Sequence, residues 1–367
     1  MENPDDGFEM WFCGFHDHTR QSYDEEWYAI TVPDPEASPS SFNSKKLVPL
    51  SIPKVLYNKI NRADYHAVLG SHLYSFGGQI SNPPDSNYGY KEFDNYSTEV
   101  WALDTTHPSD HWKPCPPMTR PRLHPPATVL DGKIYVLAGF NQFFPPNEVG
   151  WMEVVDPNLG TWEALPNPPS DNHNHIDQNS MISFALLETR KEIFVTTKYP
   201  NFHNIIFYIY NVMNRSWRKL IPSMRISKVD HDRVVGVGNT IYWVRLYGII
   251  DRESCECVVC IQAYDLDRDV WFKGTVDTHS IYGKRERICD HNHRLHHLCD
   301  RKFCLLIRST QNKGKGEDEL KNYYLYCLIL DVSTIYEDEE WQLSISIVSV
   351  QKYDTGRYFN MLDSLLM

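Results

Sequence analysis

The densest run of chemically competent side chains is CDHNHRLHHLCDRKFC, which sets Cys289, His291, His293, His296, His297, Cys299 and Cys304 close together. A second run, CECVVC, holds Cys255, Cys257 and Cys260. Thiolates and imidazoles are the ligands of structural zinc, which gathers four of them in a tetrahedron. Neither run has the paired C-x2-C spacing on two arms that marks such a site. If these runs lie on strands, neighbouring side chains point to opposite faces and the ligands scatter. The expectation is therefore packed thiols and loop imidazoles, with no metal and no cofactor. No phosphate-cradling glycine loop and no G-x-S-x-G nucleophile turn occurs either.

Composition narrows the functional classes further. The chain of 367 residues has 36 basic and 48 acidic side chains, a formal charge of −12. General nucleic-acid binding rests on phosphate neutralisation by Lys and Arg, so no nucleic-acid partner is expected. No run of 18 apolar residues occurs, and the N-terminal MENPDDGFEMWF has no apolar signal core, so neither membrane spanning nor secretion is indicated. Nine Cys, an odd number, fit a reducing compartment, and the expected location is cytoplasmic and/or nuclear.

The elements that would carry these residues repeat. Tyr65 to Met118 reads YHAVLGSHLYSFGGQ, a polar loop, STEVWALD, a turn and HWKPCPPM, which is four short apolar runs separated by turn signals. The aromatic of its second run, Tyr74, recurs as Trp11, Tyr135, Phe194, Tyr242 and Phe303, giving six units. The third run ends in Ala102-Leu103-Asp104, Val154-Val155-Asp156, Ile209-Tyr210-Asn211, Ala263-Tyr264-Asp265 and Ile329-Leu330-Asp331. Asp or Asn there suits a turn, because its side chain can accept from the backbone two residues on. A Trp opens the fourth run at Trp112, Trp162, Trp217, Trp271 and Trp341. Repetition on this scale marks units that bury their apolar faces only against one another.

Gly77-Gly78, the later Trp and the period together resemble the kelch repeat. The double Gly becomes Ala138-Gly139, Thr197-Lys198, Arg245-Leu246 and Leu306-Ile307 in later units. The resemblance, closest to stand-alone kelch proteins and to the kelch part of plant F-box/kelch proteins, implies an all-β, six-bladed kelch-type propeller forming a single domain. Its blades would span about 8–53 with 357–363, then 65–118, 124–169, 180–224, 231–276 and 293–350. It also implies a non-enzymatic protein-recognition role, as a substrate-binding adaptor linked to ubiquitin ligase pathways, although no F-box segment is expected ahead of the first unit. A second reading, a metal-dependent kelch enzyme or specifier protein, comes from plant specifier proteins, whose iron ligands are Glu, Asp and His spaced by four. Here Glu286 and Asp290 fit, Arg294 stands where the His belongs, and His293 is one position off. The copper site of galactose oxidase, another propeller, has no counterpart that can be mapped onto this chain.

The first unit lacks an innermost strand, and FNMLD, Phe359 to Asp363, is expected to return to it and close the ring. Its outer strand is expected at Lys46 to Leu50. Connections alternate between the two ends of each blade. The long ones, 79–97, 140–150, 166–179, 247–257, 275–294 and 309–321, fall at one end, the candidate binding face. Candidate contacts are Arg120, Arg122, Arg245, Arg252, Lys284, Arg285, Arg287, Tyr88, Tyr90, Phe143, Phe144, Tyr199 and Phe202. Tyr and Arg combine large contact area with directional polar groups, and this set suits a protein partner or acidic peptide.

Overall fold

Short apolar runs separated by turn residues pair as antiparallel meanders, and the chain is an all-β, six-bladed β-propeller. The computed structural model describes residues 8–15, 25–32, 45–53, 60–62, 65–80, 96–123, 125–139, 150–169, 181–198, 205–221, 234–250, 255–276, 278, 281, 286–288, 293–312, 321–337 and 339–367. Among them the one helical element is a 3-10 turn, Glu188–Arg190, and no helix is long and apolar enough to cross a membrane. The chain divides into two compact units, Leu50–Ile221 and Met1–Pro49 with Pro222–Met367.

The Leu50–Ile221 unit holds blades 2, 3 and 4. Blade 2 is His66–Leu69, His72–Phe76, Val100–Asp104 and Lys113–Cys115. Blade 3 is Ala127–Leu130, Lys133–Leu137, Met152–Asp156 and Thr161–Ala164. Blade 4 is Met181–Leu187, Glu192–Lys198, Ile205–Asn211 and Ser216–Leu220. The repeated Trp is a strut between neighbours. Nε1 of Trp162 donates to the Pro116 carbonyl (2.9 Å) and that of Trp217 to the Pro166 carbonyl (2.7 Å), each at the end of the preceding blade. Trp112 makes the same bond to Pro53 (3.0 Å). The double Gly works similarly. Gly77 has φ +61°, and a Cβ there would collide with the Arg122 carbonyl, which accepts from the Gly78 N–H at 3.0 Å.

The other unit holds blades 1, 5 and 6. Blade 5 is Val235–Val237, Thr240–Ile250, Cys255–Asp265 and Val270–Val276, and blade 6 is Arg294–Cys299, Lys302–Asn312, Lys321–Glu337 and Glu340–Asp354. Blade 1 is completed from the C-terminus. Asn360–Leu366 pairs antiparallel with Glu9–Phe15, from Phe15 opposite Asn360 to Met10 opposite Leu366, and Glu26–Thr31 follows outside. The closing strand thus starts one residue later than FNMLD and runs three residues further. Phe359, 2% exposed, meets Phe12 and Tyr28 edge-on with ring centroids 5.8 and 5.3 Å away. Gly14 leaves room for that ring, which a Cβ would strike. Arg294 donates to the Leu362 carbonyl (3.0 Å), and His296 hydrogen-bonds Ser364 Oγ (2.8 Å), tying the closing strand to blade 6.

The turn role of the third-strand Asp or Asn is seen in four blades. Asp104, Asp156, Asn211 and Asp265 each accept from the backbone N–H two residues on, at 2.9 to 3.1 Å. Blade 6 departs from the repeat. Asp331 accepts instead from Lys302 Nζ (2.6 Å) and Arg301 (3.3 Å), so the ladder continues past it to Glu337 opposite Glu340, and Trp341 opens a fourth strand displaced along the chain. Phe303 is also one register position off. Lys302 faces Asp331 as His72 faces Asp104, so Cys304 rather than Phe303 matches Tyr74. Strand pairing further shortens several expected loops: Thr240–Ile250 and Cys255–Asp265 extend into 247–257, Glu286–Ile288 joins blade 6 within 275–294, and Lys302–Asn312 extends into 309–321. The expected outer strand of blade 1 is reduced to a bridge between Pro49 and Tyr28, while Lys45–Lys46 pairs parallel with Tyr353 and Asp354.

Removing the residues after Thr355 deletes the inner strand of blade 1 and should lower the melting temperature or solubility. In the full chain, Phe359→Ala should cost about 3–5 kcal/mol, the usual loss for a buried Phe, read by urea denaturation. A truncated protein that melts like the full chain would contradict closure by this strand.

Candidate functional site

The sequence candidates divide sharply by environment. Arg122 is 0% exposed. Its Nε donates to Glu153 Oε1 at 2.8 Å, Nη2 to the Gly150 carbonyl at 3.2 Å, and Nη1 to the carbonyl of Ala138. Glu153 Oε2 also accepts from the Thr119 N–H and hydroxyl at 2.9 and 2.8 Å. Burial lowers the guanidinium pKa and the adjacent carboxylate opposes that shift, as expected for a desolvated pair. With its backbone on Gly78 of blade 2 and its side chain in blade 3, Arg122 joins two blades. It is enclosed, and so is corrected from contact residue to internal staple.

Arg120 lies half-buried two residues before it, and Arg245 lies half-buried on the second strand of blade 5 opposite Cys260. Arg287 is on Glu286–Ile288, opposite Thr310. Arg252, Lys284, Arg285, Tyr88, Tyr90, Phe143, Phe144, Tyr199 and Phe202 lie outside the described residues. The described members of the set thus lie on separate elements of the fold.

Of the rival metal ligands, Glu286 and His293 are among the described residues and both are held by neighbours. The Glu286 carboxylate, fully enclosed, accepts from Ser309 Oγ (2.5 Å), Tyr326 OH (2.8 Å) and Lys352 Nζ (3.1 Å). The Lys352 ammonium lies 3.7 Å from the centroid of the Tyr324 ring, and burial raises the Tyr324 pKa. His293 is buried with Nε2 3.3 Å from the Val244 carbonyl, and Asp290 lies outside the described residues. Of the Cys/His run, His296 meets Ser364, His297 meets the Asp300 carbonyl (3.0 Å), and Cys304 Sγ lies 3.4 Å from Cys327 Sγ. Its hydrogen bond with Cys327 and burial push the Cys304 thiol well up, which keeps it protonated and inert.

A cleft does form on the opposite face of blade 6 from Glu286, at the end where its second strand connects to its third. Strand pairing sets Thr310 opposite Tyr323 and sends Arg308 to their side of the sheet, while the residues leading into the closing strand bring Tyr358 and Phe359 across from them. The space is shallow, with room between the side chains for about one water molecule, and is partly open to solvent. Arg308, 7% exposed, donates through Nη1 to the Phe359 carbonyl, and its guanidinium carbon is 5.1 Å from the Tyr358 ring. Tyr323 meets Tyr358 edge-on at 5.8 Å, and the Thr355 hydroxyl and N–H both lie 3.0 Å from the Tyr323 carbonyl. The lining joins a guanidinium, phenol rings and hydroxyls and includes no His, Cys or carboxylate. Such a wall can hold a carboxylate group but offers no nucleophile and base. Sequence reading found the right residue types but missed Arg308, Tyr323 and Tyr358, because its candidates came from the long connections, whereas Arg308 and Tyr323 flank 309–321 on strands and Tyr358 precedes the closing strand.

Removing one partner of a buried ion pair strands the other charge. Glu153→Ala should therefore destabilise the protein by about 3–5 kcal/mol in urea denaturation. A variant of unchanged stability would show that Arg122 is not the internal staple described.

Comparison with known proteins agrees with this architecture. Residues 121–169 match the Kelch motif family. F-box/kelch-repeat proteins of Arabidopsis thaliana are 32% identical over 131 residues (35% of this chain, 32% of the relative), 30% over 175 residues (48% and 37%) and 26% over 235 residues (55% and 56%). The chain thus spans between about a third and somewhat more than half the length of these relatives. The matched motif covers blade 3, with Trp162 and the Arg122–Glu153 pair inside it. The protein is a β-propeller that carries a Kelch motif at residues 121–169 and is distantly homologous to the kelch region of plant F-box/kelch-repeat proteins.

Proposed function

We propose that this propeller is a non-enzymatic recognition module that binds an acidic segment of a partner protein at the long-connection end, with the Arg308 cleft as an anchor point. The observation that carries this reading is a nearly enclosed guanidinium lining an open, aromatic-walled cleft. Arg and Tyr dominate binding hot spots, and a carboxylate meeting Arg308 would make charge-assisted hydrogen bonds in a partly desolvated setting. Arg245, half-buried in the same unit, is a secondary contact. Distant kinship with F-box/kelch-repeat proteins supports a role as substrate-binding adaptor in a ubiquitin ligase pathway.

Arg308 also holds the Phe359 carbonyl, so its removal would confuse binding with folding. Thr310→Glu is the cleaner probe, because it sets a carboxylate at the half-buried mouth of the cleft. Co-purification from a plant lysate should lose partners with Thr310→Glu while the melting temperature is retained. An unchanged partner list would overturn the assignment of this cleft.

A further inference from the structure

The extension of blade 6 beyond Asp331 places a second recognition feature at the opposite end of the blade from the cleft. In blades 3, 4 and 5 the third and fourth strands meet in tight turns, from Asp156 to Thr161, Asn211 to Ser216 and Asp265 to Val270. In blade 6 the pairing runs on through Val332–Ile345, Thr334–Leu343 and Tyr336–Trp341. Directly opposite residues share a face, so Val332, Leu343 and Trp341 form one side of the hairpin. That side lies on blade 5. Leu343 is buried over Gly274, where a Cβ would strike its carbonyl, and Trp341 meets Phe272 edge-on at 6.0 Å.

The end of that face overhangs the Asp265–Val270 turn and is left open. Tyr336 is 60% exposed and Trp341 37%, with ring centroids 5.1 Å apart. The protein already lays a cation on this shelf, since the Arg268 guanidinium carbon lies 5.5 Å from the Trp341 ring. The exposed Glu337, Glu339 and Glu340 form the hairpin tip next to these rings in sequence, Glu337 and Glu340 turned to the other side of the ribbon, and the exposed Asp267 and Asp269 flank Arg268 in its turn. The local charge is strongly negative.

We infer that the Tyr336–Trp341 shelf is a docking site for an Arg- or Lys-rich segment of another protein, distinct from the acidic segment assigned to the cleft. An incoming guanidinium stacks on Tyr336 as Arg268 does on Trp341, and the glutamates select the sign. The test is fluorescence anisotropy with a labelled oligo-arginine peptide titrated onto the full chain at about 0.15 M salt, where exposed charges beyond a Debye length are largely screened. Tyr336→Ser should weaken binding roughly fivefold, the order expected for one exposed cation–π contact with ring area. Converting Glu337, Glu339 and Glu340 to Gln should weaken it more than converting Glu9 and Asp300, exposed acids of the same unit away from the hairpin tip, to their amides. Thr310→Glu should leave it unchanged, which separates this site from the cleft. Equal losses per charge removed at the tip and at Glu9 and Asp300, or full affinity in Tyr336→Ser, would show only diffuse attraction to an acidic protein and overturn the inference. Sedimentation showing that the tip pairs with a second copy of the chain would overturn it as well.

Discussion

The pairing of Asn360–Leu366 with Glu9–Phe15 is the constraint on which most of one compact unit depends. Without it the second strand of blade 1 has an open edge, and an unpaired edge is both a lost ladder and an invitation to aggregate. The same segment supplies Phe359 and Met361 to a core shared with Cys304, Leu306, Leu325 and Cys327 of blade 6. Its lead-in residues also furnish the cleft, because the Phe359 carbonyl and the Tyr358 ring hold Arg308. Stability and the proposed site therefore share one anchor, and damage to the closing strand should be felt in both.

Two buried arginines show how one residue type takes different parts. Arg122 sits against Glu153 with its remaining donors on backbone carbonyls, an arrangement in which Coulomb attraction and hydrogen bonds together offset desolvation. Arg308 is fixed by a carbonyl and a ring beside open space. The first geometry joins blades, while the second leaves a positive wall facing a cleft. Burial alone does not distinguish them, and the neighbouring volume does.

Much of the architecture was legible from residue pattern. The recurring aromatic, the Asp or Asn that closes each third strand and the Trp that follows all reflect local physics, namely strand alternation, side-chain turns and an indole N–H needing a carbonyl. The closing strand was legible because blade 1 lacked an inner strand and the C-terminus had one to spare. Less was visible where tertiary pairing overrides local signals. Nothing in LILDVSTIYEDEEW announces that Lys302 and Arg301 capture Asp331 and cancel its turn. Arg122 resembled a loop contact because sequence cannot show that Glu153, on another strand, waits beside it. The cleft was missed because its side chains come from two strands and the lead-in to a third, brought together only by register.

Hydrogen exchange of the full-length protein, read by mass spectrometry, tests the central dependence most directly. Paired strands in one cooperative unit open together, so the amides of Asn360–Leu366 should show slow exchange matching that of Glu9–Phe15. Phe359→Ala should accelerate both segments together with 306–310 of blade 6. Rapid, chain-like exchange of Asn360–Leu366 beside a protected Glu9–Phe15 would contradict the account.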